Sequence, residues 1–313
     1  MRRHFMGVML ALAITVGPVG TGAASGAASG AARVSHESNR DSALVSKVTS
    51  YNHLSTGGHT VLVSVGGRQR TFIVEVPAGK PVVNRALVLV FHGAEDTASG
   101  TIATTNLLQQ VTARGDVIAF LQGYQDTWNE GSGSTPASLA HVNDVAYTAA
   151  VIARLRSLVS FASSRIAAVG FSNGAIMVED LGCQLSSLIS LFVPVEGQMS
   201  TVQSASCRLV RPVSVYEIHA TSDPTIPYNG GYFATAIGED TVLSAPQSVA
   251  RWAHLDGCST GPVTTTSSGI SVATYGKCRS GASVRLRTIF GGQHAWPTNI
   301  GQLVVQQLSR FPL

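Results

Sequence analysis

The stretch Gly170-Phe171-Ser172-Asn173-Gly174 decides the fold of this chain of 313 residues. An apolar run, 165–169, precedes it, and a stretch with the pattern of a helix, 175–185, follows it. A strand, the pattern G-x-S-x-G and a helix in this order are typical of a nucleophile elbow, in which a serine lies on a sharp turn. Glycines flank the serine because a Cβ at either position would collide with the adjoining strand or helix. Ser172 is therefore the candidate nucleophile, and the alternative is a small serine in a tight turn.

The same pattern occurs a second time at Gly257-Cys258-Ser259-Thr260-Gly261. No strand pattern precedes it, Pro262 follows it, and no helix pattern comes after. Short motifs of this kind also match by chance. We interpret this second match as a loop beside a cysteine, without a catalytic serine.

The composition indicates a folded protein with a sizeable core, since 44% of the residues are hydrophobic and 12% are charged. The formal net charge is +4, and the sequence has no run rich in lysine or arginine. We therefore expect no nucleic-acid partner.

The first 32 residues have the pattern of a signal peptide. Arg2 and Arg3 form a short basic region, 5–16 is apolar, and small residues fill 21–32. The apolar run is too short for a membrane-spanning helix. We predict a secreted, extracellular protein without a stable membrane anchor. Its polar N-terminal arm would cover 33–58, and a single catalytic domain 59–313.

The four cysteines fit export to an oxidising compartment. Four cysteines allow three pairings, and pairing by proximity gives Cys183–Cys207 and Cys258–Cys278. The alternative is four buried thiols. The sequence contains no C-x-x-C pattern and no cysteines and histidines at metal-binding spacing, so we expect no metal and no cofactor.

Strands and helices alternate along the chain, which predicts the α/β class with a mostly parallel central sheet flanked by helices. A β-hairpin is expected first, around Gly66-Gly67. The further strands are expected at 86–91, 117–121, 165–169, 188–195, 213–219 and 284–290. The helices are expected at 102–114, after Asn143 or Asp144, and at 174–185, 246–255 and 299–310. Residues 123–142 are too irregular for an element.

A serine nucleophile needs a base, and the base needs an acid that holds it in one tautomer. In chains with this elbow the order is serine, acid, histidine. His294 lies in a loop just after an apolar strand and is the candidate base, whereas His254 lies in a predicted helix.

The candidate acid is Asp223, which is separated by three residues from the end of the strand 213–219. It therefore follows the C-terminal end of this strand, and functional sites of parallel sheets form at that end. Its alternative role is an Asx turn before Pro224. Glu217 lies inside the strand, and residues 239–240 are expected in a polar loop.

An oxyanion hole needs two backbone donors. We expect the Asn173 and Ala94 amides to provide them, because Ala94 follows the buried strand 86–91. We interpret His92 as structural, with its ring bonded to loop backbone.

Five motifs together resemble one family. They are Phe91-His92-Gly93, Trp128-Asn129, the elbow 170–174, the stretch 219–228 (HATSDPTIPY) and 291–297 (GGQHAWP). Across roughly residues 70–297 the chain resembles the secreted polyhydroxybutyrate depolymerases and feruloyl/acetylxylan esterases, which are α/β-hydrolases. The resemblance implies an α/β-hydrolase fold and an ester-hydrolysing triad at Ser172, Asp223 and His294. Cys258 and Cys278 also resemble family positions.

Three departures from the family pattern stand out. Ala220 replaces a usual glycine, and Asn143-Asp144 replaces a usual Asp-Asp pair. Glu95 follows the oxyanion loop, where small or neutral residues are usual, and its carboxylate would oppose an oxyanion unless it points to solvent. None of these departures removes a catalytic group.

We therefore expect a secreted serine esterase that acts on short hydroxyacyl esters, of the polyhydroxybutyrate oligomer type, or on aromatic or acetyl esters. Trp128, Tyr228 and Trp296 are candidates for the substrate pocket, or else core and rim aromatics. Only one predicted helix follows His294, so we expect soluble esters to be better substrates than crystalline polymer.

Three other functions remain open from the sequence. An acyltransferase could use the same triad. A prolyl-oligopeptidase-like peptidase shares similar motifs but carries a large propeller domain for which this chain has no room. A catalytically dead binding module is disfavoured by the intact serine, aspartate and histidine.

Overall fold

The computed structural model describes residues 53–79, 82, 84–235 and 237–310. The predicted signal peptide and residues 33–52 of the predicted arm lie outside the described residues. The described residues belong to one compact unit.

A ten-stranded sheet runs through the described part of the chain, in the order β1-β2-β4-β3-β5-β6-β7-β12-β11-β10, and β8 and β9 form a separate pair. The six strands from β4 to β12 in that order are parallel, and an antiparallel hairpin extends the sheet at each edge. The strands are β1 (Gly57–Val65), β2 (Arg68–Val76), β3 (Leu87–Phe91), β4 (Val117–Leu121), β5 (Ile166–Phe171), β6 (Leu191–Val195), β7 (Ser214–Ala220), β8 (Gly231–Thr235), β9 (Gly238–Val242), β10 (Thr260–Ser267), β11 (Ile270–Gly276) and β12 (Val284–Ile289). The predicted fold class, with its N-terminal hairpin and mostly parallel sheet, is confirmed.

The central strands are apolar on both faces because helices cover both faces of the sheet. In β3, Leu87, Leu89 and Phe91 pack into one apolar core, whereas Val88 and Val90 pack into the other. The helices are α1 (Ala98–Thr104), α2 (Leu107–Ala113), α3 (Pro136–Leu139), α4 (Asp144–Leu158), α5 (Asn173–Gln184), α6 (Thr201–Ser206), α7 (Ala245–Leu255) and α8 (Ile300–Leu308).

The single helix predicted over 102–114 is wrong, because α1 and α2 are separate helices. Thr105 has an extended backbone and ends α1. Its hydroxyl donates to the Thr101 carbonyl at 2.8 Å, and side-chain bonds of this kind compete with helical ones. Asn106 Oδ1 accepts the Gly301 N–H at 2.8 Å, so a distant segment stabilises the break.

The polar loop predicted for residues 239–240 is also wrong, since both lie in β9, which pairs with β8. The loop predicted at the second G-x-S-x-G is only partly correct, because Thr260 and Gly261 begin β10. Every residue of β10 is exposed. Such a strand has no apolar alternation, and the alternation is the signal by which strands are recognised.

Both predicted disulfides are confirmed. Cys183, near the end of α5, joins Cys207, which follows α6. Cys258, after α7, joins Cys278, after β11. Closing loops of this length removes freedom from the unfolded chain and stabilises a fold by roughly 3 kcal/mol each.

Candidate active site

Ser172 lies on a strained turn between β5 and α5, with φ 55° and ψ −123°. A positive φ is unusual for a residue with a side chain, and such strain is concentrated at functional sites. The turn also requires its glycines. A Cβ on Gly170 would lie 2.1 Å from the Gly174 carbonyl oxygen, and one on Gly174 would lie 2.3 Å from the His92 carbonyl oxygen. The turn therefore presents Ser172 at the C-terminal end of a buried strand.

The structure brings Asp223 and His294 together. β7 and β12 are parallel neighbours, so the loops after them adjoin. His294 Nδ1 donates to Asp223 Oδ2 at 2.7 Å. The other oxygen, Oδ1, accepts the N–H groups of Thr225 at 2.7 Å and Ile226 at 3.0 Å. Asp223 therefore has both of the roles considered for it, because Oδ1 forms the Asx turn and Oδ2 binds the histidine.

The Asp223 carboxyl is held in its charged form. Burial by itself raises its pKa, but hydrogen bonds from His219 and His294 outweigh burial, and its pKa lies below the ordinary range. A carboxylate that stays charged can hold His294 with its proton on Nδ1, which leaves Nε2 free to accept another proton.

Ser172 and His294 line the same cavity of about 300 Å³. The His294 ring packs on Phe171, with 4.7 Å between ring centroids. Within the described residues no hydrogen bond joins Ser172 Oγ to His294. Hydrogen bonds between nucleophile and base often tighten only when substrate is bound, so the missing bond is compatible with a base role.

Two backbone amides in the cavity wall are available as donors. Asn173 is the first residue of α5, so its N–H has no acceptor inside the helix. Neither this amide nor that of Ala94 donates to any described residue, and both residues line the cavity. The Asn173 side chain is engaged elsewhere, because its Oδ1 accepts the Trp128 N–H at 2.8 Å.

His92 uses both ring nitrogens in the protein interior. Nδ1 donates to the Gly93 carbonyl at 2.7 Å, and Nε2 accepts the Gly123 N–H at 2.9 Å. Burial lowers the pKa of His92, which favours the neutral ring. His92 therefore shapes the loop that carries Ala94.

The three aromatic residues suggested for the pocket do not line this cavity. Trp128 is fully buried and donates through Nε1 to the His92 carbonyl at 2.8 Å. The Tyr228 hydroxyl bonds Thr288 Oγ1 at 3.0 Å. Trp296 stacks on Phe171 with 5.1 Å between centroids. These aromatics therefore have supporting positions, and the aromatic residues of the wall are Phe171 and Phe233.

Sequence reasoning missed Glu130 altogether. Glu130 lines the cavity although it is only 3% exposed, and its Oε1 accepts the Ser132 hydroxyl at 2.7 Å. Burial raises the pKa of Glu130 to about 7. Glu95, which was noted in the sequence, also lines the cavity and is exposed. The position of Glu130 directly after the Trp128-Asn129 motif was the one available signal.

Two buried groups lie behind Asp223. His219 Nε2 is 3.5 Å from Asp223 Oδ2 and 3.6 Å from Glu196 Oε2. Burial, together with the nearby charge of Asp223, raises the pKa of Glu196 to about 9. Glu196, His219 and Asp223 each offer one side-chain atom that could bind a metal, and these atoms lie within 4.8 Å of one another. Hydrogen bonds already engage them, since Glu196 accepts the Ala220 N–H at 2.9 Å and His219 Nε2 lies 3.0 Å from the Ile226 carbonyl oxygen.

The chain is similar in sequence to proteins that are named as esterases. The chain is 30% identical over 234 residues to feruloyl esterase B of Piromyces equi, across 72% of this chain and 42% of that protein. It is 26% identical over 254 residues to NocK of Nocardia uniformis subsp. tsuyamanensis, which carries the provisional name of an esterase, across 75% of this chain and 73% of that protein. The chain thus spans less than half the length of feruloyl esterase B. No family profile matches the chain.

Solved structures show the same fold at low sequence identity. The acetyl xylan esterase from Aspergillus awamori superposes with a TM-score of 0.61 and 13% identity, across 82% of this chain and all (100%) of that one. A thermostable esterase superposes with a TM-score of 0.54 and 14% identity, across 80% of this chain and 62% of that one. These structures show the α/β-hydrolase fold, and the sequence relatives support membership of a feruloyl/acetylxylan esterase-like family with that fold.

Proposed function

We propose that this protein is a secreted serine esterase that hydrolyses carboxylic esters through an acyl-enzyme. The observation that carries the proposal is the pairing of His294 with Asp223 at the cavity that the Ser172 elbow also lines. Aromatic, acetyl or short hydroxyacyl esters are the proposed substrates. The likeness to a protein named feruloyl esterase B supports the aromatic class.

In the proposed reaction, Ser172 Oγ attacks the ester carbonyl carbon while His294 Nε2 accepts its proton. The Asp223 carboxylate stabilises the resulting imidazolium through Nδ1. The Asn173 and Ala94 amides donate to the oxyanion, and the N-terminal end of α5 adds a favourable dipole. The C–O bond to the alcohol breaks, the alcohol oxygen takes the proton from Nε2, and the acyl group stays on Oγ. Water then repeats the sequence and frees the acid.

Export is part of the proposal. It is supported by the two disulfides, which persist in oxidising compartments, and by the signal-peptide pattern of the first 32 residues. In the part of the chain that the structure describes, no helix has both the length and the apolar character needed to cross a bilayer.

Two serine variants test the proposal. Purified wild-type protein, Ser172→Ala and Ser259→Ala are assayed on methyl ferulate, p-nitrophenyl acetate and a soluble hydroxybutyrate trimer. Ser172→Ala should lose activity by about 10⁴-fold or more, because the covalent step is removed. Ser259 is exposed and outside the cavity, so Ser259→Ala should keep the wild-type rate.

The same assay separates the alternatives. Full activity in Ser172→Ala would contradict the proposal, and so would folded wild-type protein with no turnover of any ester. Adding an alcohol acceptor and analysing the products distinguishes hydrolysis from acyl transfer, because a transferase would give mostly the new ester.

A further inference from the structure

The wall of the catalytic cavity is rich in oxygen atoms. Two carboxyl groups, those of Glu95 and Glu130, belong to residues of the wall. Four threonines also line it, and they are Thr127, Thr135, Thr225 and Thr235. Among the described residues of the wall there is no lysine or arginine, and the one basic side chain is His294. The cavity is therefore acidic and well supplied with hydroxyl groups.

Glu130 is fixed in place rather than mobile. Its carboxyl accepts the Ser132 hydroxyl at 2.7 Å and interacts with the Asn173 side chain. Its main-chain carbonyl accepts Gln203 Nε2 at 3.0 Å, and the same amide lies 3.2 Å from the carbonyl of Ile176, another wall residue. The Glu130 carboxyl is thus held beside Asn173, the residue whose amide is proposed to bind the oxyanion.

A third acid interacts with Glu130 from β9. Asp240 lies on β9, and its charge acts on Glu130 and disfavours the ionised form. Glu95 adds a carboxylate on the exposed side, with its backbone held by a 2.9 Å bond from its N–H to the Asp126 carbonyl. The two wall carboxyls therefore belong to separate segments, one at the rim and one in the interior.

We infer that this cavity selects uncharged, hydroxyl-bearing esters over esters that carry a free carboxylate, and that Glu95 and Glu130 set this preference. The inference rests on the proposed esterase function and narrows its substrate class. A carboxylate on the substrate would meet like charges without a cation in the wall to pair with, whereas a hydroxyl group can donate to the wall oxygens.

The expected size of the effect follows from Coulomb's law. One like charge at about 8–10 Å, with an effective dielectric of about 20–40, changes the relative rate by roughly four- to thirtyfold. Two ionised groups should act together, and the Glu130 carboxyl, whose pKa is raised to about 7, is mostly ionised at pH 8. The comparison is therefore made at pH 8.

Substrate pairs that differ in one charge test the inference. On the acyl side, the pair is methyl 4-carboxycinnamate and methyl 4-carbamoylcinnamate. On the alcohol side, it is the ferulate esters of glycolic acid and of glycolamide. Each pair has nearly equal size, so the ratio of kcat/KM for the neutral to the charged member reports charge. Methyl 4-hydroxycinnamate against methyl cinnamate reports the hydroxyl preference.

We expect the wild-type enzyme to favour the neutral member by about tenfold or more in at least one pair. Glu95→Gln and Glu130→Gln should each reduce the ratio, and the double variant should bring it close to one. Glu75→Gln is the matched control, because Glu75 lies on β2 and does not line the cavity. If the wild-type enzyme gave equal kcat/KM for the neutral and charged members of both substrate pairs, the inference would be overturned. It would also be overturned if the double variant kept the kcat/KM ratio of the wild type. Because Glu95 is exposed, Glu95→Gln keeps the test valid if Glu130→Gln does not fold.

A binding measurement separates this inference from the esterase proposal. Ser172→Ala protein is titrated with each charged and neutral pair by calorimetry. If the wild-type enzyme turned over no ester, the esterase proposal would fail, yet tighter binding of the neutral members would still support the inference. If turnover were normal and the binding and rate ratios both equalled one, the inference would fail alone.

Discussion

His294 Nδ1 lies 2.7 Å from Asp223 Oδ2, and the Oδ1 atom of the same carboxylate is held by two backbone N–H groups. The carboxylate is thus fixed by the turn that follows β7, while its second oxygen orients the imidazole. Residues 71 positions apart in the chain form this pair because their strands are parallel neighbours in the sheet.

The first prediction concerns Asp223→Asn. The turn should survive, because an amide oxygen can still accept the Thr225 and Ile226 N–H groups. The amide NH₂ would then face His294 Nδ1 and favour the tautomer with its proton on Nε2, which cannot accept the serine proton. We expect kcat to fall by about 10⁴-fold with little change in the circular dichroism spectrum. A fall of less than tenfold would contradict the role of Asp223.

The second prediction compares two histidines. His294→Ala should reduce kcat/KM about as severely as Ser172→Ala, because the residues of a triad act as a unit. His254 is exposed on α7, away from the cavity, so His254→Ala should change kcat/KM by less than about threefold. The reverse ranking in steady-state assays would show that the base has been misassigned.

The third prediction concerns the dependence of stability on pH. Burial raises the pKa of Glu179 to about 8, that of Glu196 to about 9 and that of Asp256 to about 7. Each raised pKa lets the folded state hold a proton that the unfolded chain releases near pH 4–4.5. The stabilisation is therefore complete below about pH 4 and is lost as pH rises through these folded pKa values. The free energy of unfolding should fall between pH 5 and pH 9.

Glu179→Gln isolates one contribution to this slope, the fall of the free energy of unfolding with rising pH. Glu179 Oε2 accepts the Trp252 indole N–H in the interior, and a glutamine oxygen can take its place. The loss of unfolding free energy between pH 5 and pH 9, measured by urea denaturation, should shrink by on the order of 4 kcal/mol. Glu239→Gln, at an exposed position of β9, is the control and should leave the slope unchanged. An unaltered slope in Glu179→Gln would mean that the buried carboxyl is not the source.

The fourth prediction concerns the disulfide between Cys183 and Cys207. It closes a loop with a sequence separation of 24, so Cys183→Ala/Cys207→Ala should lower the free energy of unfolding by roughly 3 kcal/mol. Non-reducing mass mapping of the secreted protein checks the pairing directly. Free thiols at all four cysteines would contradict both the bond and the oxidising compartment.

The elements with strong local sequence patterns could be predicted from the sequence alone. Gly66-Gly67 marked the first hairpin, the apolar run 86–91 marked a strand buried on both faces, and the glycines around Ser172 marked the strained turn. These features depend on contacts within a few residues or on burial of both faces of a strand. Each of these causes produces a recognisable local sequence pattern. Asp223 and His294 were recognisable as candidates because each follows the end of a strand.

Tertiary structure decided the features that depend on distant segments. The break between α1 and α2 is held by Asn106 and Gly301, which are 195 residues apart. Trp128, an apparent pocket residue, is buried under the loop of His92, whereas Glu130, two positions later, lines the cavity. Both lie in an irregular stretch without a period, so residue order gives no indication of which side chain points inward. Only the packing of the surrounding elements, each specified by its own local pattern, determines which side chains meet in the cavity.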